Sequence, residues 1–291
     1  MKNTTIDVRQ VSANIGAEIH GVDLAQPLDD STYGEIRGAL NEHGVIFFRE
    51  QTITPDQQLA FTQRFGEIDI DPTAFGGHLE GYPLINVVRK EPEQTRNTGG
   101  NWHTDHAFDP NPPLGSVLLA RELPEFGGDT LFASMYAAYD ALSEGLKKTL
   151  AGMNAVHAKT RAFDGLPQDR QVTPEQRAAI QAQFAGREAV HPVVPRHPES
   201  GRRLLFVNPT YTTRFEGWTE KESEPLLKFL FQHAARPEFT YRFQWRVGSI
   251  AFWDNRSVWH YALNDYHGSR RLMHRVALQG NGFEGSRRPT A

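Results

Sequence analysis

The chain of 291 residues contains no cysteine. Disulfide bonds, thiolate metal sites and cysteine nucleophiles are therefore excluded, and any metal ion must be held by histidine and carboxylate side chains. Long apolar runs are also missing: none approaches the roughly 18 residues that cross a bilayer, and the N-terminus lacks the apolar stretch of a signal peptide. We expect a cytoplasmic protein without a membrane partner.

Neither sign of charge dominates, since 31 Lys and Arg stand against 35 Asp and Glu, a formal net charge of −4. Such a chain has no general attraction to phosphate backbones, so an anion can be bound only at a local site. We therefore expect a small-molecule partner and no nucleic acid.

The Walker sequence of nucleotide-binding folds is absent as well. The one GxGxxG match, residues 280–285, is followed by Ser286-Arg287-Arg288-Pro289 and not by the helical pattern that a dinucleotide-binding fold requires. No internal repeat and no Pro/Gly/Ser-rich linker divides the chain, and its 38% hydrophobic and 23% charged residues are typical of a globular protein. We expect one domain over residues 1–291.

Short β-branched and aromatic runs recur along the chain, and several alternate apolar with polar residues, as half-buried strands do. Helices separate these runs: Thr54 and Thr219 are each expected to cap one, and residues 136–150 and 174–184 to form two more. This order predicts a mainly β sandwich or barrel with peripheral helices. The strand-like runs span residues 44–49, 84–88, 116–120, 204–207, 239–245, 249–253 and 271–278.

Three tripeptides have the His-x-Asp/Glu pattern that, with a distant second histidine, supplies the two-His, one-carboxylate site of non-haem Fe(II). They are residues 78–80, 103–105 and 197–199. The first lies in a glycine-rich loop. The third lies among proline, serine and glycine, so we expect His197 at a solvated hairpin tip. The second lies in an aromatic-rich segment, which indicates a partly enclosed pocket.

His103 and Asp105 point to the same side if their segment is extended, as two ligands of one ion must. The alternative is that loop hydrogen bonds satisfy both side chains. A second histidine, His260, lies in an apolar and aromatic stretch, where the alternative is a hydrogen-bonded core histidine. The residues alone leave these alternatives open.

Arg271 and Arg275 share one face of a predicted strand because their separation is even, and they stand roughly 13 Å apart. An unpaired buried guanidinium is costly. This face is therefore either exposed to solvent, as on a basic edge strand, or it binds carboxylate-like groups.

Several motifs together resemble the taurine/2,4-dichlorophenoxyacetate dioxygenase family of Fe(II)- and 2-oxoglutarate-dependent enzymes, almost from end to end. The resemblance implies a double-stranded β-helix (jelly roll, cupin-like) core with His103, Asp105 and His260 as iron ligands. In chain order the motifs are Gly16-Ala17-Glu18-Ile19, Gly21-Val22-Asp23-Leu24, Phe65-Gly66-Glu67, Trp102-His103-Thr104-Asp105, Gly127-Gly128-Asp129-Thr130, Trp253-Asp254-Asn255-Arg256, His260-Tyr261-Ala262 and Arg271 to Arg275.

The resemblance also implies how the co-substrate and substrate are bound. Thr130 and Arg271 are assigned to the distal carboxylate of 2-oxoglutarate, and Arg275 to an anionic group of the substrate, with aromatic walls at Phe163 and Tyr211. The implied reaction hydroxylates the substrate with O₂ and releases succinate and CO₂, with no catalytic residue beyond the metal ligands. The family commonly forms dimers or tetramers, so we expect a homodimer or homotetramer.

The sequence departs from the family at three positions that read taurine, normally His, Tyr and Asn, which are Asp71, Ala74 and Gly99 here. Asp71 would repel a sulfonate placed as in taurine. We therefore expect another organic anion as substrate: an alkylsulfonate, an alkyl sulfate or an aryloxyalkanoate.

A different enzyme class could use the same three metal ligands. A zinc or manganese hydrolase or isomerase on a cupin-like barrel would need His103, Asp105 and His260 but no carboxylate clamp at Thr130 and Arg271.

Overall fold

The computed structural model describes residues 5–70, 77–160, 182 and 184–289. Its helices are α1 (Asp30–His43), α2 (Pro55–Gln63), α3 (Met135–Asp140), α4 (Glu144–Leu150) and α5 (Glu220–Ala234), with a 3₁₀ turn at Pro237–Phe239. Its strands are β1 (Asp7–Gln10), β2 (Ala17–His20), β3 (Val45–Phe48), β4 (Ile68–Asp69), β5 (His78–Leu79), β6 (Tyr82–Lys90), β7 (Gly115–Glu122), β8 (Thr130–Ser134), β9 (Asn154–Ala158), β10 (Glu188–Pro192), β11 (Thr212–Phe215), β12 (Thr240–Phe243), β13 (Ile250–Asp254), β14 (Val258–Ala262) and β15 (Arg271–Leu278).

The strands form one large and two small sheets. The large sheet has the order β1-β2-β3-β13-β7-β15-β6-β5, and β4 also pairs with β15. Strands β12, β8 and β14 form one small sheet, and β10, β9 and β11 form the other. Pairing is antiparallel throughout these sheets except between β2 and β3. Strands far apart in sequence, such as β3 and β13, are neighbours, as the jelly roll implied by the resemblance requires.

The large sheet and the sheet β12-β8-β14 enclose a shared apolar core. Val45, Leu118 and Trp253 from the large sheet pack in one cluster with Phe132 and Val258 from the small sheet. This two-layer arrangement confirms the mainly β jelly roll.

Strand β13 is buried on both faces. Ala251 and Trp253 point into the core between the sheets, whereas Ile250 and Phe252 belong to a second cluster on the outer face, which also contains Ile36 of α1. Helices α1 and α2 cover that outer face, and they complete a core that a single-sided sheet would leave in water.

The predicted helix caps are confirmed. The hydroxyl of Thr54 accepts from the backbone N–H of Gln57, and that of Thr219 accepts from Glu222, each within a capping box. The single helix predicted over residues 136–150 is wrong. It is two helices, because the Ser143 hydroxyl accepts from the N–H of Leu146 and starts a new helix there.

The strand predicted over residues 204–207 is also wrong. The segment is buried, but its backbone N–H groups are divided between two segments: Leu204 and Phe206 donate to Pro195 and Val193, and Leu205 donates to Met135. It therefore packs in the core without joining a ladder. The helix predicted over residues 174–184 lies almost entirely outside the described residues. No helix in the described part of the chain is long and apolar enough to cross a membrane.

Candidate metal centre

The structure brings His103, Asp105 and His260 together, with one potential ligand atom from each lying within 4.8 Å of the others. His103 Nε2 lies 3.5 Å from Oδ1 of Asp105, and His260 Nε2 lies 3.7 Å from Oδ2. Two backbone hydrogen bonds join the histidines, from His103 N to His260 O and from His260 N to His103 O, at 3.2 and 3.0 Å. The mutual contacts favour a shared metal over separate loop and core roles.

The protonation states of the cluster fit a cation. Burial alone would raise the pKa of Asp105, but the charge of Arg275 and the neighbouring imidazoles outweigh it and hold that pKa well below its usual range. Burial and the nearby His103 hold the pKa of His260 well below its usual value. An ionised carboxylate and a neutral imidazole are the forms that bind metal ions.

The His103 ring has a defined orientation. Its Nδ1 lies 2.7 Å from the carbonyl oxygen of Asn101. A carbonyl oxygen only accepts, so Nδ1 carries the hydrogen and the Nε2 lone pair faces Asp105. Second contacts of this kind hold metal-binding histidines in place. Two imidazoles and one carboxylate form the donor set that suits non-haem Fe(II).

Asn255 holds the backbone of Asp105 from both sides. Its Oδ1 accepts from the N–H of Asp105 at 2.8 Å, and its Nδ2 donates to the carbonyls of Asp105 and Pro113, both at 3.0 Å. Asn255 lies in the turn between β13 and β14, so it connects the loop of Asp105 to the strand that carries His260. Sequence reasoning placed Asn255 in a motif but gave it no role.

The prediction of an exposed His197 is wrong, because this residue is 1% exposed. Its Nδ1 accepts from the N–H groups of Glu199 and Ser200, so the turn itself is as predicted. Its Nε2 therefore carries the hydrogen and donates to Oδ2 of Asp254 at 2.9 Å. The carboxylate of Asp254 is buried and also pairs with Arg256. Because a buried carboxylate must be hydrogen-bonded, the turn is folded against the core with His197 as one of its donors.

Of the other tripeptide matches, His78 lies at the surface on the short strand β5 rather than in a loop. It belongs to no cluster with ligand spacing, since His103, Asp105 and His260 form the one such cluster among the described residues.

Arg271 is a buried cation whose guanidinium is only partly hydrogen-bonded in the described part of the chain. It is 5% exposed, and within the described ranges its Nε and Nη2 have no hydrogen-bond partner. Burial lowers the pKa of this guanidinium. Its side chain lies along Gly128, where a Cβ would stand 3.2 Å from Cδ of Arg271 and where φ is +71°. The arrangement fits an anionic ligand that supplies the missing acceptors.

Thr130, the second residue assigned to the co-substrate, begins β8 and is 4% exposed. Its Oγ1 accepts from Nε1 of Trp245 at 3.0 Å. The ring of Trp245 in turn lies 5.8 Å from Cζ of Arg271. One indole thus contacts both Thr130 and Arg271, and sequence reasoning missed it because no motif marks this tryptophan.

Arg275 lies on the inner side of β15 and already has partners. Its Nη2 donates to Oδ2 of Asp105 at 2.7 Å, and its Nε donates to Oγ of Ser116 at 3.1 Å. Strand β15 is flanked by β6 and β7, so the alternative of an exposed edge strand is wrong. Met273 lies between the two arginines on the same face and packs in the core between the sheets, so this face is directed inward.

The remaining substrate positions are only partly described. Tyr211 is 9% exposed and packs edge-on against Phe108, with ring centroids 5.0 Å apart. Gly99 lies beside the metal centre, where a Cβ would stand 3.3 Å from Cε1 of His103. The other three positions, Asp71, Ala74 and Phe163, lie outside the described residues.

Comparison with known proteins decides the family. Residues 7–277 match the sequence profile of the "Taurine catabolism dioxygenase TauD, TfdA family". The chain belongs to this family. As a TauD/TfdA member it is a dioxygenase, which disfavours the hydrolase or isomerase alternative.

The relatives of this TauD/TfdA protein include an alkylsulfatase of Acinetobacter baylyi, 36% identical over 94% of this chain and 85% of the relative. An alpha-ketoglutarate-dependent sulfate ester dioxygenase of Pseudomonas putida is also 36% identical, over 94% of this chain and 90% of the relative. Among solved structures, a taurine dioxygenase from Burkholderia xenovorans has a TM-score of 0.80 at 36% identity, covering 99% of this chain and 95% of that one. The fold agrees with the jelly roll described above.

Proposed function

We propose that this protein is an Fe(II)- and 2-oxoglutarate-dependent dioxygenase that oxidises a small organic anion, with alkyl sulfate esters as the preferred substrate class. The proposal is carried by the combination of the His103/Asp105/His260 cluster with the buried guanidinium of Arg271, whose Nε and Nη2 have no hydrogen-bond partner among the described residues. A metal-dependent hydrolase would not need the buried guanidinium of Arg271.

Fe(II) would be held by Nε2 of His103, the carboxylate of Asp105 and Nε2 of His260, which leaves further coordination positions for a chelating 2-oxo acid and O₂. When bound, iron supplies the chemistry that couples oxidative decarboxylation of 2-oxoglutarate to oxidation of a substrate C–H bond. The protein positions the two organic reactants and excludes water from the reaction.

Arg271 and Thr130 would bind the distal carboxylate of 2-oxoglutarate. Two nitrogen atoms of this buried guanidinium lack hydrogen-bond partners in the part of the chain that the structure describes, so a carboxylate offsets the cost of their desolvation. A bidentate arrangement matches the planar fork of arginine to the two oxygens of that carboxylate. A 2-oxo acid without the second carboxylate would leave the guanidinium unpaired.

Arg275 would bind the anionic group of the substrate while keeping its bond to Asp105. A guanidinium has five N–H donors, and in the described part of the chain Arg275 uses one on Asp105 and one on Ser116. Three donors remain for an anion. The substrate would therefore lie beside the metal centre, with its anionic head fixed near the carboxylate ligand.

The relatives that act on alkyl sulfates and sulfate esters support this substrate class. In the balanced reaction, an alkyl sulfate, 2-oxoglutarate and O₂ give succinate, CO₂ and a product hydroxylated at the carbon that bears the sulfate oxygen. That carbon then has two oxygen substituents. Its C–O bond to sulfate breaks, the hydroxyl loses its proton, and an aldehyde and inorganic sulfate are released.

The test is turnover by the Fe(II)-loaded protein with four substrates: a medium-chain alkyl sulfate, the matching alkylsulfonate, an aryloxyalkanoate and taurine. We expect succinate and sulfate in a 1:1 ratio from the alkyl sulfate, and a kcat/KM at least tenfold above that for taurine. Reactions without Fe(II) or without 2-oxoglutarate are the controls. Faster turnover of another anion would overturn the sulfate ester class, and no succinate with any anion would overturn the enzyme class.

We also propose that residues 1–291 form one domain, that the protein is cytoplasmic, and that it assembles as a homodimer or homotetramer. Strands β1 and β15, from opposite ends of the chain, belong to the same large sheet, which supports one domain. The net charge of −4 supports a small-molecule partner rather than nucleic acid. Size-exclusion chromatography with light scattering measures the molar mass in solution and tests the assembly. The mass of a monomer would contradict it.

A further inference from the structure

Trp245 connects the two residues proposed to bind 2-oxoglutarate. Its Nε1 donates to Oγ1 of Thr130 at 3.0 Å, and its ring lies 5.8 Å from Cζ of Arg271. Trp245 comes shortly after the end of strand β12 in the chain, and it is 8% exposed. Thr130 lies 115 residues earlier in the chain, so only the fold brings the indole to it.

Aromatic packing fixes the position of the indole. The ring of Phe243 meets Trp245 edge-on, with centroids 4.8 Å apart and an interplanar angle of 85°. Phe243 is fully buried and stacks on Phe47 of β3, at 4.0 Å and 8°. The indole N–H is thus anchored through Phe243 to the large sheet, and it can hold another side chain in one orientation.

The direction of the hydrogen bond determines what the Thr130 hydroxyl can do. An indole N–H only donates, so Thr130 Oγ1 must be the acceptor. The hydroxyl keeps its own hydrogen, and no acceptor within the described ranges takes it. Accepting a hydrogen bond also polarises the hydroxyl and makes it a better donor. Thr130 is therefore oriented to donate to an anion.

We propose that Trp245 is a positioning residue for 2-oxoglutarate. It fixes the Thr130 hydroxyl as a donor to the distal carboxylate, and Arg271 donates to the same carboxylate. Trp245 itself does not bind the co-substrate through its N–H, because Thr130 occupies that donor. This inference rests on the proposed assignment of Thr130 and Arg271 to the distal carboxylate.

The experiment compares two 2-oxo acids, 2-oxoglutarate and pyruvate, which lacks the distal carboxylate. Their dissociation constants are measured without oxygen on the Fe(II) protein, from the visible absorption of the chelate. Trp245→Phe keeps an aromatic ring but removes the donor. We expect Trp245→Phe to raise the dissociation constant of 2-oxoglutarate roughly tenfold, as for the loss of a hydrogen bond that acts on a charged group. The dissociation constant of pyruvate should change less than twofold.

A double-mutant cycle separates positioning from packing. In a Thr130→Val background the hydroxyl that Trp245 orients is gone. We therefore expect Trp245→Phe to raise the dissociation constant of 2-oxoglutarate by less than a further factor of two there. In a Thr130→Ser background the roughly tenfold effect should persist, since the hydroxyl remains. Trp218→Phe is the matched control, because Trp218 is 42% exposed, and we expect it to change neither constant.

Three outcomes would overturn the proposal. The dissociation constant of 2-oxoglutarate could be unchanged in Trp245→Phe, or Trp245→Phe could weaken pyruvate binding as much as 2-oxoglutarate binding. Trp245→Phe could also weaken 2-oxoglutarate binding by the full factor in the Thr130→Val background. If the wild-type protein binds 2-oxoglutarate no better than pyruvate, the proposed function itself fails instead. If Trp245→Phe does not fold, β-(3-benzothienyl)alanine placed at position 245 removes only the N–H, and the same outcomes apply.

Discussion

Arg275 donates a hydrogen bond from Nη2 to Oδ2 of Asp105 at 2.7 Å. The same carboxylate oxygen lies 3.7 Å from Nε2 of His260, whereas Oδ1 lies 3.5 Å from Nε2 of His103. The two oxygens of Asp105 therefore have different surroundings. The group proposed to anchor the substrate and the carboxylate proposed to bind the metal form one electrostatic unit.

Replacing Arg275 should impair substrate binding more than co-substrate binding. Arg275→Lys keeps the charge but loses the planar fork, so it cannot reach Asp105, Ser116 and a substrate anion together. We expect KM for the anionic substrate to rise by about tenfold, and by about a hundredfold in Arg275→Gln. The dissociation constant of 2-oxoglutarate should change less than twofold.

Arg270→Lys is the matched control for Arg275. Arg270 lies next to the start of the same strand, but it is exposed and pairs with Glu91 and Glu122. We expect its kinetics to equal those of the wild type. Equal kinetics in Arg275→Lys would show that the anion binds elsewhere.

Arg271→Met should stabilise the ligand-free protein while abolishing co-substrate binding. Two nitrogen atoms of the buried guanidinium, Nε and Nη2, have no hydrogen-bond partner in the described ranges, and an apolar side chain of similar length removes their desolvation cost. We expect the free energy of unfolding in urea to rise by about 1–3 kcal/mol. Added 2-oxoglutarate should raise the Tm of the wild-type protein but should leave the Tm of Arg271→Met unchanged.

Arg9→Met serves as the control for Arg271→Met, because Arg9 is exposed and pairs with the exposed carboxylate of Asp7. We expect a loss of less than about 1 kcal/mol there. A large loss of stability in ligand-free Arg271→Met would mean that this guanidinium has a stabilising partner within the protein.

His191 should make the protein lose stability between pH 6.5 and 4. Burial lowers the pKa of this imidazole to about 4, whereas in the unfolded chain it titrates near 6.5. Between these values the unfolded chain binds a proton that the folded chain excludes, so stability falls as the pH falls. The two values imply a loss of about 3 kcal/mol, complete near pH 4. The nearby His157 adds a loss of the same sign, because burial lowers its pKa as well.

Urea unfolding of the metal-free protein across this range measures the effect. In His191→Phe we expect a lower stability at pH 7, because the carbonyl of Ala107 loses its donor, but a shallower fall toward pH 4. His78→Ala is the control, since His78 is exposed, and its curve should parallel the wild type. An equally steep fall in His191→Phe would contradict the assignment of this pH dependence to His191.

The residues of the candidate metal centre were predictable because the donor types and their order along the chain are specific. His103 and Asp105 lie two residues apart, and His260 follows in an apolar strand, so local pattern and family resemblance indicated the same set. The strand Arg271–Leu278 was predicted with its observed bounds.

Residues whose role depends on distant partners could not be predicted in this way. Asn255 bonds to the backbone of Asp105, 150 residues earlier, and Trp245 bonds to Thr130, 115 residues earlier. His197 shows the same limit. Its turn chemistry was visible in the sequence, but its burial depends on Asp254, 57 residues later. Local signals determine turns and caps, whereas the fold determines which polar groups meet.

In the proposed site, His103, Asp105, His260 and Arg271 together bind Fe(II) and 2-oxoglutarate. The most direct measurement is an anaerobic titration of the Fe(II)-loaded protein with 2-oxoglutarate, followed by its visible charge-transfer absorption. We predict a saturable band with one equivalent bound in the wild type, no band in His260→Ala, and at least a hundredfold weaker binding in Arg271→Met. The absence of a band in the wild type would show that Fe(II) and 2-oxoglutarate do not bind together at this site, and an equal affinity in Arg271→Met would show that Arg271 does not bind the co-substrate.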